Sequence, residues 1–401
     1  MTYDVAAVRA HFPALQAGIA HFDGPGGTQV PDTVARAVAE TLTSPIANRG
    51  RVTAAERLAD DVVRGARQAV ADLLGADPRG VVFGRSATQL TFDVSRALAA
   101  GWGPGDEVVV SRLDHDANVR PWVIAAEAAG ATVRWAAFDP ATGELTADDV
   151  AEVLTERTRL VAVTGASNLI GTRPPVAEIA ALVHGMGALL AVDGVHLTAH
   201  ASIDVAALGA DLYTCSPYKF LGPHCGTLTA DPALLESLTP AKLLPSSNDV
   251  PERFELGTLP YELLAGTTAA IDFLADLAPA GGTRRERLIA AMTMLEAYED
   301  DLREHLEAGL TALPGVRLWS RAGHRTPTLL VTFDGRDAAD AYRLLADRGV
   351  NAPAGSFYAI ETSRWLGLGD AGGLRAGLAP YSDADDVERL LTGLREFLAI
   401  R

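Results

Sequence analysis

The sequence predicts an α/β fold on a mostly parallel seven-stranded sheet, with a smaller α+β unit at the C-terminal end. The first observation is a series of short apolar, often β-branched runs between residues 80 and 230: Val81–Phe83, Glu107–Val110, Thr132–Trp135, Leu160–Val163, Ala188–Val192, Asp211–Thr214 and Gly226–Thr229. Most are nearly continuous in hydrophobicity, the pattern of strands covered on both faces. The second is that helical stretches separate them, as parallel pairing requires. Ligands on such a sheet gather at the carboxyl ends of the strands.

Before the sheet, residues 56–74 place Leu58, Val62, Ala66, Ala69, Val70 and Leu73 on one helical face, and Gly75 is a stop signal. After it, Pro279-Ala280-Gly281-Gly282 breaks the chain, and Leu288, Met292, Leu295, Leu302, Leu306 and Leu313 resume helical spacing. Apolar runs at Thr328–Val331 and Gly373–Ala376 follow. A last helix is expected near Ser382, where Ser382 and Asp385 have the spacing of a capping pair. The expected division is an N-terminal segment, 1–20, packed near the small domain, a large domain, 21–280, and a small C-terminal domain, 281–401.

Composition narrows the function. The 401 residues carry a formal charge of −17, which argues against nucleic acid or an anionic membrane as partner. No stretch approaches the roughly 20 apolar residues that span a bilayer, and the start of the chain lacks a leader pattern, so a cytoplasmic address is expected. Cys215 and Cys225 are the only cysteines, too few for a disulfide framework and without companions for a zinc site. Two buried thiols and no metal are expected.

The chemistry is concentrated at strand ends. Asp193 closes the run Leu189–Val192, and a carboxylate buried there requires a charged partner. Lys219 follows the next strand in Ser216-Pro217-Tyr218-Lys219. A lysine that can form a Schiff base and a carboxylate that can hold a pyridine nitrogen protonated together suit pyridoxal 5′-phosphate. Arg85-Ser86-Ala87-Thr88-Gln89, between a strand and a helix, can bind a phosphate at the helix N-terminus or simply cap it. His115 can stack on an aromatic ring or cap a helix, and Asn168 can meet a phenolic oxygen or merely make a turn. His196 is equally open between a contact to that oxygen and a supporting role.

Taken together these motifs resemble the class V aminotransferase-fold family, and within it the cysteine desulfurase and selenocysteine lyase-like group. The resemblance runs from Phe22–Thr28 to Leu374–Tyr381 and includes Asp114–Asn118, Asp193–His196, Ser216–Lys219 and Phe254–Thr258 in the family's order. It implies the fold type I architecture of pyridoxal-phosphate enzymes, with Lys219 as the Schiff-base lysine, Asp193 on the pyridine nitrogen and His115 stacked on the ring. It implies cofactor contacts from Ala87, Thr88, Asn168, His196, Ser216 and Tyr218, with Gly257 and Thr258 reaching a neighbouring subunit's phosphate in a homodimer with shared active sites. Arg375, Arg49 and Gly26 fall on the substrate side, and Arg375 matches the arginine that grips the substrate carboxylate of an amino acid.

The departures bear on the reaction. The family's desulfurases carry sulfur on a loop cysteine, whereas Tyr358 stands at that place here and no cysteine follows Cys225. A phenol does not replace a thiolate in attacking sulfur. His196 replaces the usual glutamine, and Tyr218 a histidine. The expected enzyme therefore cleaves a carbon–sulfur or similar Cβ bond of a cysteine-like amino acid. Cysteine desulfurase-like sulfur transfer, epimerisation and transamination are the alternatives, with Tyr358 as an acid or as packing. A cofactor-containing scaffold is the non-enzymatic alternative.

Overall fold

The computed structural model describes residues 3–400. Seven strands form the principal sheet: β1 (Val81–Gly84), β2 (Glu107–Ser111), β3 (Thr132–Ala136), β4 (Thr158–Thr164), β5 (Leu189–Asp193), β6 (Leu212–Cys215) and β7 (Gly226–Ala230). Their spatial order is β1-β7-β6-β5-β4-β2-β3. Strand β7 runs antiparallel to β1 and β6, and every other pairing is parallel. All seven apolar runs are strands.

The continuous hydrophobicity has a direct structural reason. Val109, Val161, Val163, Leu190 and Val192 enter one core, while Val108, Val110, Leu160, Ala162 and Ala191 enter the core on the opposite face. Burial of each valine or leucine contributes about 1.5–3 kcal/mol, so neither face tolerates polar alternation.

Helix α1 (Ala54–Leu74) begins two residues before the predicted start because Thr53 and Glu56 form a reciprocal capping box. Ala59 and Val63 take the inner positions, with Leu58 and Val62 half-buried, and Gly75 closes the helix in the left-handed conformation at φ 66°. Helix α2 (Ala87–Ala99) follows β1, and α3 (Tyr261–Asp276) packs on α1.

The 28-residue helix α4 (Arg284–Thr311) is capped by Thr283 and Glu286 and serves two cores. Leu288, Met292 and Leu295 join the core beneath the large sheet, whereas Leu302, Leu306 and Leu310 join that of a four-stranded antiparallel sheet. This second sheet has β8 (Val316–Leu318), β9 (Thr328–Phe333), β10 (Ala354–Gly355) and β11 (Gly373–Gly377) in the order β10-β11-β9-β8.

The last helix, α5 (Ala384–Ala399), starts after Asp383, whose side chain accepts from the Asp386 N–H. Ser382 is not the cap because its hydroxyl accepts from the Ala379 N–H instead. At the other end of the chain, the Tyr3 hydroxyl donates to the Pro380 carbonyl at 2.6 Å, Arg9 pairs with Asp386 at 2.7 Å, and Ala20–His21 pairs with Val350–Asn351. Among the described residues no helix is long and apolar enough to cross a membrane.

Candidate active site

The carboxyl ends of β2, β4, β5 and β6 open onto one cavity, at the edge where ligands on such a sheet gather. Its lining includes Ala87, Thr88, His115, Asn168, Asp193 and His196, together with Ser216, Tyr218 and Lys219. Residues as far apart as 87 and 219 meet because successive parallel strands end at the same edge.

At one side of the cavity Ser86 caps α2, its Oγ accepting from the Gln89 N–H at 3.1 Å. The capping and anion-site readings of this segment are thus compatible, since the N–H groups of Ala87 and Thr88 have no acceptor further back in the helix. Strand β7 presses on this turn: a Cβ at Gly226 would lie 2.2 Å from the Ser86 carbonyl carbon and 2.4 Å from the Ala87 nitrogen. Only glycine lets the backbone approach so closely.

At the centre, Asp193 is buried and accepts from the Val195 N–H at 2.9 Å. Burial pushes its carboxyl up to about 6, against the downward pulls of that N–H and of Lys219. Lys219 donates to the Pro25 carbonyl and lies 5.0 Å from the Tyr218 ring centre. Burial lowers its ammonium to about 7, aided by the positive field of Arg375 and opposed by Asp193. A substantial neutral amine population at neutral pH follows.

His115 is held by its Nδ1, which accepts from the Ala117 N–H at 3.0 Å and leaves the proton on Nε2. Burial brings this imidazole down to about 4, with Lys219 and Arg375 adding to the effect, so its ring is neutral and apolar enough to face another aromatic system. The Tyr358 ring stands 5.5 Å away. Its side of the loop is exposed, at 77% relative accessibility, while the Tyr358 carbonyl accepts from the Asp116 N–H at 2.8 Å.

Arg375 is 2% exposed. Its Nη1 donates to the Asn168 carbonyl at 2.9 Å, and its guanidinium lies 3.7 Å from the Phe357 ring centre. Asn168 Nδ2 in turn donates to the Phe357 carbonyl at 2.9 Å. The Arg375 Nε and Asn168 Oδ1 are buried without hydrogen-bond partners among the described residues. A Cβ at Gly26 would come 3.6 Å from Arg375 Nη2, so the absent side chain leaves that edge of the guanidinium clear. Orphaned donor and acceptor atoms beside an open edge suit a ligand carboxylate and amine.

Six sequence-derived candidates are not part of the cavity lining: Gly26, Tyr358 and Arg375, which contact its lining residues or one another as described, and Arg49, Gly257 and Thr258. Arg49 pairs with Asp60 at 2.9 Å and Glu252 at 3.0 Å, where two carboxylates engage its fork. Gly257 and Thr258 sit on an exposed loop anchored by Glu255, which accepts from Arg67 and from the Phe83 N–H. Phe357 was not singled out from sequence, although it covers Arg375. Cys215 and Cys225 are both buried, and burial pushes their thiols up to about 12 and about 11.

The donor set fits pyridoxal phosphate: helix N–H groups for a phosphate, a carboxylate for a pyridinium, an amine for the aldehyde and a flat neutral imidazole. Comparison with known proteins agrees. The family model for aminotransferase class-V matches residues 20–390. The chain is 36% identical over 98% of its length to an uncharacterised protein, MT3887, of Mycobacterium tuberculosis, of which it covers 99%. It is 32% identical to a probable cysteine desulfurase of Pseudomonas aeruginosa, with 98% of each chain aligned. The solved cysteine desulfurase CsdA of Escherichia coli superimposes with a TM-score of 0.88, 28% identity and 99% coverage of both chains. The chain belongs to the aminotransferase class-V family of pyridoxal-phosphate-dependent enzymes.

Proposed function

We propose that this enzyme is a lyase that cleaves a carbon–sulfur or similar Cβ bond of a cysteine-like amino acid. The carrying observation is the combination of an amino-acid-compatible site with no thiol placed to receive sulfur. The loop beside His115 offers the Tyr358 phenol, and both thiols are buried and held protonated.

In this reading the cofactor, when bound, supplies an electron sink for the charge left at Cα. Asp193 holds the proton on the pyridine nitrogen, Ala87, Thr88 and Ser216 hold the phosphate, and His115 packs on the ring face, with Asn168, His196 and Tyr218 completing the cofactor's surroundings. Arg375 holds the substrate carboxylate alongside Gly26. Lys219 would take the Cα proton. Gly257 and Thr258, exposed on one chain, would complete the phosphate site of a second subunit, and Arg49 would face substrate from the shared interface. The division at about residue 281 fits this arrangement, with the C-terminal domain bringing Arg375 to the large sheet.

An amino-acid panel tests the reading: cysteine-like substrates should yield sulfide or the corresponding leaving group with pyruvate and ammonia. Keto acid formation coupled to an amino acceptor, or inversion at Cα without cleavage, would replace the lyase by an aminotransferase or an epimerase. Tyr358→Phe should lower turnover roughly 10²-fold or more if the phenol protonates the leaving group, and only slightly if it packs against His115. A persulfide on Cys215 or Cys225 during turnover would restore sulfur transfer.

The Lys219 amine also sets a pH signature. Its neutral form attacks the cofactor aldehyde, so cofactor capture by the cofactor-free chain should accelerate as pH rises through about 7. A free lysine would place that midpoint near about 10.4. Stopped-flow absorbance after mixing measures it, and a midpoint above about 9 would show that burial does not activate this amine.

A further inference from the structure

His196 lines the cavity, yet its hydrogen bonds point away from the large sheet. Nε2 lies 2.9 Å from Thr326 Oγ1 and 3.1 Å from Thr328 Oγ1, both at the entrance to β9. Thr326 Oγ1 also donates to the Gly171 carbonyl at 3.3 Å. Donating there, Thr326 accepts from His196 and favours the imidazole proton on Nε2, whereas a proton on Nδ1 would have Nε2 accept from Thr328. Nδ1 makes no hydrogen bond to the described residues.

Behind this ring stands a second histidine. His200 is 5% exposed, and its ring meets that of His196 edge-to-face with centroids 4.9 Å apart. Its Nδ1 lies 2.8 Å from Oε2 of Glu299, a residue 1% exposed in the middle of α4. The other carboxyl oxygen of Glu299 has no partner among the described residues.

A carboxyl so completely buried is costly and contributes no closed hydrogen-bond network to the helix. The contact has one role that packing does not explain: the carboxyl anchors the His200 ring through Nδ1. That anchor holds the His200 ring edge-to-face against His196.

We propose that His200 and Glu299 are positioning residues that act through His196, and that with Thr326 and Thr328 they fix its orientation and neutral tautomer toward the cofactor pocket. The proposal rests on the pyridoxal-phosphate reading of that pocket. The ring would thus be governed from α4 and β9, elements that also form the second core, so the posture of the second sheet is transmitted to the cofactor's surroundings.

The charged neighbours are consistent with this role. His196 is held well below the ordinary imidazole range by burial first, then by His200, Lys219 and Arg375. Around Glu299 stand Glu296 and Asp300 on its own helix, Tyr3 from the N-terminal segment, and Tyr298. Burial, together with those two acids, raises the Glu299 carboxyl, and His200 opposes the rise.

Histidine-selective ¹⁵N NMR of the cofactor-free protein tests the proposal directly, with signals assigned through His196→Asn and His200→Asn. In the unmodified chain His196 should remain one neutral tautomer, protonated on Nε2, between about pH 5 and pH 9. Glu299→Gln keeps the shape but changes the partner of His200 Nδ1, so it should loosen that ring and, through the edge-to-face contact, populate a second form of His196. Thr326→Val, which swaps a hydroxyl for a methyl, should do the same from the opposite side, and His200→Asn, which removes the ring between Glu299 and His196, decides the matter if Glu299→Gln does not fold. In cofactor-loaded protein both variants should move the pH midpoint of the visible band by about half a unit or more relative to the unmodified enzyme.

His196 signals in Glu299→Gln and His200→Asn identical to those of the unmodified chain would overturn the proposal, whatever Thr326→Val shows. Failure of the chain to take up pyridoxal phosphate would instead refute the function proposed above, while the NMR comparison would still decide whether Glu299 and Thr326 control His196.

Discussion

Lys219→Ala is expected to reduce turnover by at least roughly 10³-fold while leaving the fold intact, because in the proposed reaction one side chain would both anchor the cofactor and move the Cα proton. Its amine makes one polar contact, to the Pro25 carbonyl, and is buried at the expense of its charge, so alanine removes little that holds the structure together. The chain offers an unusually clean test of the anchor. It contains only two lysines, Lys219 and Lys242. Borohydride reduction followed by peptide mapping should place the pyridoxyl group on Lys219, and Lys219→Ala should carry none. Lys242 bonds the Ser246 carbonyl at 3.0 Å in a loop outside the cavity, and a label there in the unmodified enzyme would remove Lys219 from its assigned role.

The contrast between Asp193 and Phe357 shows what the sequence could reveal. Asp193 directly follows the apolar run that forms β5, so its position at the sheet edge can be read from hydrophobicity alone. Lys219 and His115 are legible for the same reason, since each follows a strand by a few residues. Phe357 has no such marker. It reaches Arg375 because Phe357 and Tyr358 both adopt left-handed φ values, 52° and 58°, without being glycine. Such conformations persist only where surrounding contacts hold them, here the Asn168 side chain on one carbonyl and the Asp116 N–H on the next.

Long-range polar contacts were hidden for a related reason. His196 meets Thr326 across 130 positions, and His200 meets Glu299 across 99. Neither pair has a local pattern, because the packing of α4 and β9 against the large sheet decides both. The capping error at α5 is a smaller case: Ser382 and Asp383 are both competent caps, and the contact of Ser382 to Ala379 settles between them.

Arg375→Met should separate substrate recognition from stability. Methionine keeps an unbranched stem near Phe357 but removes the charge and the donors for a carboxylate. Amino-acid affinity should fall by about 1.5–3 kcal/mol, the range for a charged hydrogen bond, while cofactor binding persists. Stability should not fall in parallel. Burial already lowers the Arg375 guanidinium to about 9, against the opposing field of Asp23, and its Nε has no partner among the described residues. A charge held this way costs the folded state free energy that its bond to Asn168 and its stacking on Phe357 return only in part, so the variant's thermal midpoint should equal or exceed that of the parent. Titration of the holoenzyme with amino acids, alongside thermal unfolding, measures both quantities. Lost cofactor with undiminished amino-acid affinity would assign Arg375 to the cofactor instead, and a large drop in thermal midpoint would show that its stacking on Phe357 supports the fold.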